Sequence, residues 1–403
     1  MKLLLLFFIL ISISYANILQ ETIDKASPGS ILKLSSGVYP GQIVIDKPLT
    51  IIGKSHDVVI EGGGTGRVIT INSSGVVLKN LTVTNSGGRM ENLDSAIKMD
   101  KVSDCEISNC KILNSLYGID MVMVQNSIIQ NNYITSKKND IELRGDALKI
   151  WYSNGNIIRN NRIDASRDIT LTYSNNNIIE GNTITNNRFG LHIGLSRKNR
   201  ITDNIFKYNS VAIIVMGVMD TNVTKNQIKS SKGAAGIGIV IKGSSNFHLE
   251  GNTISYNAQG IYIDSKNTEE GMQRYIKNNE ISYNKEAMHF HAIIKNNTIR
   301  DNKIFGNIDD VVRDSRANVT IANDIGHNYW DRYAGFDKNG DNIGDTPHRV
   351  YQYADQLWEY NNKVKFFYAS PVMSLMNFLA SLAPFIDPVL LLEDKTPIVN
   401  IED

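Results

Sequence analysis

The sequence is poor in the features that mark several common classes of protein. Its 403 residues include only two cysteines, Cys105 and Cys110. Their closeness within one repeat favours burial as small apolar residues over a disulfide, which an exported chain could also form. The only charged residue among residues 1–16 is Lys2, so from residue 17 onward the 41 acidic residues are balanced by as many basic ones. A chain without net charge is a poor partner for nucleic acid.

Long apolar stretches are confined to the two ends of the chain. Residues 1–16 start with Lys2, continue with an apolar run over 3–13 and end in Ser14-Tyr-Ala16, which is the pattern of a cleaved secretory signal. That run is short of the roughly 20 residues that span a bilayer. The apolar stretch over 366–392 is interrupted by Pro371, Pro384 and Pro388. We therefore predict an exported protein in which neither stretch crosses a membrane.

A six-residue phrase recurs along the middle of the chain: apolar, two polar, Asn, one variable, apolar. Four copies lie between residues 177 and 254 at steps of 22, 22 and 26 residues. A fixed residue at a nearly fixed period is typical of a solenoid, and this period is too short for a pair of helices. The fourth position is assigned to Cys110, Asn132, Asn161, Asn182, Asn204, Asn226, Asn252, Asn279 and Asn297.

We predict an all-β fold, a right-handed parallel β-helix of the pectin-lyase-like kind, because the six-residue period of a left-handed hexapeptide helix is absent. Each coil would hold the phrase as one strand, a turn and a second short strand. The asparagines would stack at an inward corner and bond to the backbone and to one another. The side chains on one face of the second strands would fill the bore; they are Ile119, Met121, Leu191, Ile193, Ile261, Ile263, Met288 and Phe290.

The predicted organisation has four parts. Residues 1–16 form the signal peptide, residues 17–307 the β-helix, residues 308–365 an irregular C-terminal cap with an Asp-rich loop, and residues 366–403 an apolar helical tail. Residues 17–26 are expected to form an amphipathic helix that covers the first coil, with Leu19, Ile23 and Ala26 on one face. Longer insertions at 87–94, 136–146 and 265–273 are expected to form loops on one side of the solenoid.

Two groups of side chains are candidates for copper. His192 lies one coil before Met216, with His192 aligned to Ile214 and Gly194 to Met216, and Met219 follows close by. His289 and His291 leave the same face of one strand. Thioether and imidazole donors in an exported chain suit Cu(I). The alternative is that the methionines fill the bore and the histidines face solvent.

A third candidate site is the Asp-rich loop. Its oxygen donors are Asp337, Asn339, Asp341 and Asp345, together with the carbonyl of Ile343, at the spacing of the first part of a calcium loop. Position 6 is Asn342 instead of Gly, and position 12 is His348 instead of Glu. We predict a structural Ca²⁺ site here, with a set of Asx turns as the alternative.

Sugar chemistry is the alternative function, because many β-helices perform it. Lys98, Asp100, Asp120 and Lys149 take outward positions on early coils and could line a groove. The sequence shows no convincing acid pair, however, and no aromatic column on which sugars would stack.

The chain resembles the NosD family. The resemblance covers the whole chain after residue 16 and is carried by Arg144-Gly-Asp-Ala-Leu-Lys-Ile-Trp151, Arg167-Asp168, Arg188-Phe-Gly-Leu-His192, Gly326-His-Asn-Tyr-Trp-Asp331, Asp355-Gln-Leu-Trp358 and Ser370-Pro371. Relatives commonly have Gly where His327 stands, and a fuller Asp-Gly loop.

That resemblance implies a non-enzymatic, periplasmic accessory protein for the maturation of nitrous oxide reductase. Its implied partners are the permease and ATPase subunits of an ABC transporter, nitrous oxide reductase and a copper chaperone, and the C-terminal tail would provide peripheral membrane association. The competing readings are a secreted carbohydrate-active β-helix, either a polysaccharide lyase or a hydrolase, and a structural adaptor that binds proteins but no metal.

Overall fold

The computed structural model describes residues 17–264, 272–314, 320–353, 357, 361–367, 370–383 and 387–401. The predicted signal peptide and most of the predicted loop over 265–273 lie outside the described residues.

Three parallel sheets form the walls of a solenoid, and this confirms the predicted parallel β-helix. Each coil passes through sheet A, then sheet B, then sheet C, and the last coil ends in sheet B. Sheet A contains Ile31–Leu34, Thr50–Gly53, Val77–Lys79, Glu106–Ser108, Ile128–Gln130, Ile157–Arg159, Ile178–Glu180, Arg200–Thr202, Met219–Thr224, Ser245–Glu250, Arg274–Lys277, Asn297–Arg300 and Asp324–Gly326. Sheet B contains Gly37–Pro40, Val58–Glu61, Thr82–Thr84, Lys111–Ser115, Tyr133–Ser136, Arg162–Asp164, Thr183–Thr185, Ile205–Lys207, Gln227–Lys229, Thr253–Ser255, Glu280–Ser282, Lys303–Phe305 and Tyr329–Trp330. Sheet C contains Ile43–Ile45, Ile69–Ile71, Ser95–Asp100, Tyr117–Val122, Leu148–Trp151, Asp168–Thr172, Phe189–Gly194, Val211–Met216, Ile237–Lys242, Gln259–Asp264, Glu286–His291 and Asp309–Arg313.

The repeated phrase forms two short strands, not the single strand predicted. Between the strands Ile178–Glu180 and Thr183–Thr185, Gly181 has a φ of 64° and bends the chain just before the asparagine. Asp203 and Lys225 take the same backbone conformation in the next two coils. A left-handed residue turns the chain sharply while the apolar residues on either side still face inward. Apolar alternation continues across such a bend, so the pattern alone does not reveal it.

A ladder of asparagines follows this bend from coil to coil, as predicted. Asn182 Nδ2 donates to Ile158 O and to Asn204 Oδ1, both at 2.9 Å, and Asn204 Nδ2 donates to Asn226 Oδ1 at 3.0 Å. The assignment of Asn297 to this ladder is wrong, because Asn302 holds the position and Asn297 lies in sheet A. The error arises because the phrase that ends in Ile299 begins with an extra short strand, Ile294–Lys295, which pairs in parallel with Thr320–Ile321. This phrase has the same residue pattern as the ladder phrases but does not align with them.

The ladder ends on a residue from the C-terminal tail. Asn328 donates to Asp394 Oδ2 through its backbone N at 3.1 Å and its Nδ2 at 2.9 Å, and Trp330 Nε1 donates to the same oxygen at 3.0 Å. Asp394 ends the strand Val389–Asp394, which pairs antiparallel with His348–Gln352. The parallel coils therefore extend to Trp330, beyond the predicted boundary at residue 307.

The tail predicted as helical over 366–403 is helical over a shorter range. Helix α2 spans Pro371–Leu382, and a 3-10 helix, Asn362–Phe367, precedes it; a further 3-10 turn spans Ile141–Leu143. Helix α2 ends at Leu382, and Pro388, directly before the final strand, has no amide hydrogen with which to form a helical bond.

The core follows the predicted pattern closely. All eight predicted bore residues of sheet C are fully buried. Helix α1, Ile18–Lys25, starts after Asn17, whose Oδ1 accepts from Gln20 N, and it buries Leu19 and Ile23 against the first coil. Cys105 and Cys110 are buried and not linked, and burial raises the pKa of Cys110 to about 11.

Candidate functional site

The copper candidates on sheet C lie along its outer face. One column of this face runs in register through Lys98, Asp120, Lys149, Thr170, His192, Ile214, Val240, Tyr262, His289 and Val312. The column is charged in the early coils, apolar in the middle and carries Tyr and His near the end.

The early charged positions form a buried ion-pair network. Lys98 Nζ lies 2.7 Å from Asp120 Oδ2, and Lys149 Nζ lies 3.6 Å from Asp120 Oδ1. Lys98 and Asp120 are buried, and burial lowers the pKa of Lys98 against the opposing effect of its bond to Asp120. The prediction that these side chains line an open groove is wrong for Lys98 and Asp120, because both are buried. A carboxylate enclosed in this way is not available to a sugar.

The Arg and Asp residues in the phrases that resemble the NosD family form a second cluster of ion pairs. Arg167 lies 3.1 Å from Asp146 Oδ1 and 3.3 Å from Asp168 Oδ2, and Arg188 bonds to Asp168 as well. Burial, together with the charge of Asp168, raises the pKa of Asp146 to about 6. These residues join consecutive coils.

The first copper group is accessible. His192 aligns with Ile214, and Gly194 with Met216, so His192 and Met216 lie on the same face in adjacent coils, with Cα atoms about 8 Å apart from strand geometry. Met219 follows the bend at Gly217, where sheet A begins. Met216 and Met219 are 42% and 40% exposed, so neither fills the bore. Burial lowers the pKa of the half-buried His192, which keeps its imidazole neutral near pH 7.

The second copper group is enclosed by carboxylates. His289 is buried, with Nδ1 2.6 Å from Glu286 Oε2 and Nε2 3.3 Å from Asp314 Oδ2, and His291 Nδ1 lies 2.8 Å from Asp314 Oδ1. Tyr262 stacks on the ring of His289 at 5.0 Å. Burial opposes the charged form of His289, but the bonds to Asp314 and Glu286 outweigh it and raise the pKa of His289 to about 9. At neutral pH both nitrogens of His289 carry protons and neither offers a lone pair to a metal.

The Asp-rich loop has the geometry of the Asx-turn alternative. Asp337 accepts from the backbone N of Gly340 at 2.7 Å and of Asn342 at 2.8 Å. Asn342 has a φ of 65°, and its side chain exchanges two hydrogen bonds with the backbone of Asn400, which ties the loop to the C-terminal segment. Of the other predicted ligands, Asn339, Asp341 and Asp345 also accept backbone N–H groups through their side chains, and the backbone N of Ile343 donates to Asp341.

Across the parts of the chain that the structure describes, no three His, Cys, Asp or Glu side chains are grouped so as to hold a metal ion. The calcium site therefore stays a prediction. Copper at His192, Met216 and Met219 would depend on two thioether donors and one imidazole, and so would need no such group.

Helix α2 presents apolar side chains on two sides. Met373 and Ala380 are buried near Tyr353 and Leu357. On the other side five apolar residues are more than half exposed: Val372, Leu375, Phe378, Leu379 and Leu382. Among the described residues no helix has both the length and the apolar character needed to cross a membrane.

One exposed feature is missed by the sequence analysis, which predicts no aromatic column. Met123, Tyr152, Tyr173 and Leu195 stack at the bend from sheet C to sheet A, each with positive φ and each between 40% and 55% exposed; we call these four residues the corner strip. The rings of Tyr152 and Tyr173 are 4.9 Å apart and nearly parallel. A sequence signal exists, because a buried serine directly follows three of the four residues, at Ser153, Ser174 and Ser196.

Comparisons with known proteins agree with this architecture. A family model described as "Periplasmic copper-binding protein (NosD)" matches residues 131–335, about half of the chain. Two proteins named "Probable ABC transporter binding protein NosD" are similar over 88% of this chain. The one from Pseudomonas aeruginosa is 25% identical over 390 residues and 84% of its own length, and the one from Stutzerimonas stutzeri is 24% identical over 386 residues and 83% of its length.

Solved structures show the fold in other settings. A tailspike protein of bacteriophage HK620 matches with a TM-score of 0.54 at 12% identity, over 72% of this chain and 62% of its own. The A-module of the mannuronan C-5 epimerase AlgE6 from Azotobacter vinelandii gives 0.49 at 15% identity, over 73% of this chain and 92% of its own. These likenesses concern the fold alone, whereas the family match extends over the repeats and into the cap: the chain belongs to the NosD family, described as periplasmic copper-binding proteins.

Proposed function

We propose that this chain is a non-enzymatic periplasmic carrier of copper that acts with an ABC transporter in assembling the copper sites of nitrous oxide reductase. The observation that carries the proposal is that two exposed thioethers, Met216 and Met219, lie on either side of the bend at Gly217, one coil on from the neutral imidazole of His192. Relatives named as ABC transporter binding proteins and the copper-binding family description support it.

The proposed cargo is Cu(I), held by His192, Met216 and Met219. Soft thioether and imidazole donors match this soft ion. Two features of the chain help loading and release: the thioethers are open to a partner, and His192 needs no deprotonation near pH 7. His289 and His291 form the second candidate, where a metal would have to displace one of the two protons through which His289 pairs with Glu286 and Asp314. That set suits a divalent ion better than Cu(I).

The proposed contact with the transporter is the exposed apolar side of α2. Leu375, Leu379 and Leu382 lie one helical turn or two apart along it, and a membrane permease offers an apolar surface to cover them. The ATPase subunits would be reached only through that permease. Nitrous oxide reductase would receive the copper and a copper chaperone would supply it.

A Cu(I) competition titration on residues 17–403 tests the carrier role. We expect one Cu(I) per chain, with affinity falling at least tenfold in Met216→Leu/Met219→Leu and unchanged in Met123→Leu. Met123 is a matched control because it is an equally exposed methionine outside the site, and Leu nearly conserves its volume. Loss of binding only in His289→Ala/His291→Ala would move the site to the late coils. No binding by the wild type would refute the carrier role.

Membrane fractionation tests the docking role. Leu375→Ser/Leu379→Ser is expected to release the protein from membranes that contain the transporter, without lowering its thermal stability, because both side chains are already exposed. The control is Leu195→Ser, an exposed leucine far from α2. Co-sedimentation equal to that of the wild type would exclude α2 as the docking element.

A further inference from the structure

The corner strip runs directly into the methionine pair. A Cβ on Gly217 would lie 3.0 Å from Leu195 Cδ2, so Leu195 packs over Gly217. Met216 and Met219 flank that glycine on either side. Met123 and Gly217 occupy the same bend four coils apart, a distance of about 19 Å along the solenoid axis at the spacing of neighbouring strands. The result is one continuous exposed apolar surface with soft donor atoms at its end.

Within the described part of the chain the strip stays exposed, and the ring of Tyr152 also contacts that of Trp151, 4.8 Å away. Single exposed apolar residues are ordinary on a protein surface, but contiguous ones mark an interaction site. Stacked tyrosines give such a surface rigid area with little loss of side-chain entropy on binding. The strip is bounded on one side by Lys101, at the same bend of the preceding coil, and on the other by Gly243, at the same bend of the coil after Gly217, where a side chain would meet nothing within 4 Å.

Basic side chains edge the methionine end of the strip. Arg197, Lys198 and Arg200 follow Leu195 almost directly, all three are exposed, and none forms an ion pair with a described residue. Because the whole chain is balanced in charge, three exposed cations together are a local feature. They match a partner surface that carries carboxylates around an apolar centre.

We propose that the corner strip, with Arg197, Lys198 and Arg200 at its edge, is the docking surface for the copper-receiving protein. That protein would present an apolar patch rimmed by carboxylates, and it would dock so that its own ligands reach the open surface at Gly243 and take the metal from Met216 and Met219. The inference rests on the proposed carrier role and adds to it the surface and the chemistry of the partner.

The test measures docking and copper transfer separately, with apo-nitrous oxide reductase as the acceptor. Tyr152→Ser/Tyr173→Ser is compared with Tyr256→Ser/Tyr283→Ser. The latter pair is a matched control, because its rings are also exposed and stacked, 5.3 Å apart, but lie at the bend after sheet B. We expect the first variant to bind Cu(I) as the wild type does, yet to lose at least tenfold in acceptor affinity and in transfer rate. The control should keep both.

Charge reversal provides the second measurement. Arg197→Glu/Lys198→Glu should slow association, and the association rate of the wild type should fall steeply with salt, since exposed charges act mainly on encounter. Equal docking by the wild type and by both the tyrosine and the charge variants would overturn the proposal. The proposal would also be overturned if the wild type formed no complex with the acceptor. A homodimer, seen by sedimentation and lost when the strip is mutated, would overturn it as well.

The two proposals fail in distinguishable ways. A wild type that binds no Cu(I) refutes the carrier role, and the strip is then still judged by complex formation. A wild type that binds Cu(I) and transfers it equally well with and without the tyrosines refutes the strip alone.

Discussion

Asp394→Ala should loosen the C-terminal end of the solenoid. The carboxylate is fully buried, and its Oδ2 accepts three hydrogen bonds, two from Asn328 and one from Trp330, while Oδ1 accepts from Thr396 N. Each buried donor that loses its partner costs about 1–3 kcal/mol, so that three donors, after local relaxation and entry of water, should cost about 3–5 kcal/mol.

The loss should be local. In a solenoid each coil contacts mainly its neighbours, so stability is close to a sum of repeat and interface terms. We expect the last coil, the strand Val389–Asp394 and α2 to open at low denaturant, followed by the remaining coils at the wild-type midpoint. Trp330 lies at the affected end, so its fluorescence should report the first unfolding step. Hydrogen exchange should show which residues lose protection in that step.

Glu393→Gln is the control for the same strand. Glu393 pairs with Arg349 at the surface, where ion pairs contribute little, and the variant should unfold as the wild type does. If Asp394→Ala kept a single transition within about 0.5 kcal/mol of the wild type, a size typical of ordinary surface substitutions, the carboxylate would not be the end point of the ladder.

Two further predictions concern buried charge. Lys98→Met should destabilise the fold by about 3–5 kcal/mol in chemical denaturation, because it leaves Asp120 buried without its closest cation. The double variant Lys98→Met/Asp120→Leu should recover much of that stability. A single variant as stable as the wild type would contradict the ion-pair network. The pKa of His289 is raised in the folded state to about 9 from 6.5, so its ion pairs with Glu286 and Asp314 stabilise the fold fully below pH 6.5, and this stabilisation is lost as the pH rises through 9. Unfolding free energies measured at pH 6 and pH 9.5 should differ in the wild type, and the difference should be smaller in His289→Gln, where the buried carboxyl of Asp146 still titrates. A wild type without that difference would show that the charged pair is absent.

The repeat made the fold predictable, because an Asn at a near-constant period and apolar alternation specify stacked parallel strands. The same pattern conceals what lies between the apolar positions. The bend before Asn182 leaves the alternation intact, so two strands read as one. Asn297 and Asn302 both stand in a phrase of the right form, and only strand pairing separates them.

The candidate site was predictable to a smaller degree. Side-chain parity correctly put Lys98, Asp120, His192 and His289 on the outer face of sheet C, but parity does not tell which outward positions are covered. Hence Asp120 is buried although it points away from the bore. Tyr152 and Tyr173 meet because the single coil between them returns the chain to the same bend, and this is known only from the register of sheet C.

Because every coil rises by the same distance, the separation between two sites along the solenoid is fixed by the number of coils between them. From the strand that carries Met216 to the last strand of sheet C is four steps, or about 19 Å of rigid wall at the spacing of parallel strands. A protein held at the corner strip and a membrane component held at α2 would therefore be kept apart by a count of coils and not by a flexible linker. Adding or removing one whole coil between them would change the separation by about 4.8 Å and rotate neither surface greatly. Length in this chain is thus a property that evolution can adjust in discrete units, independently of the chemistry at either end.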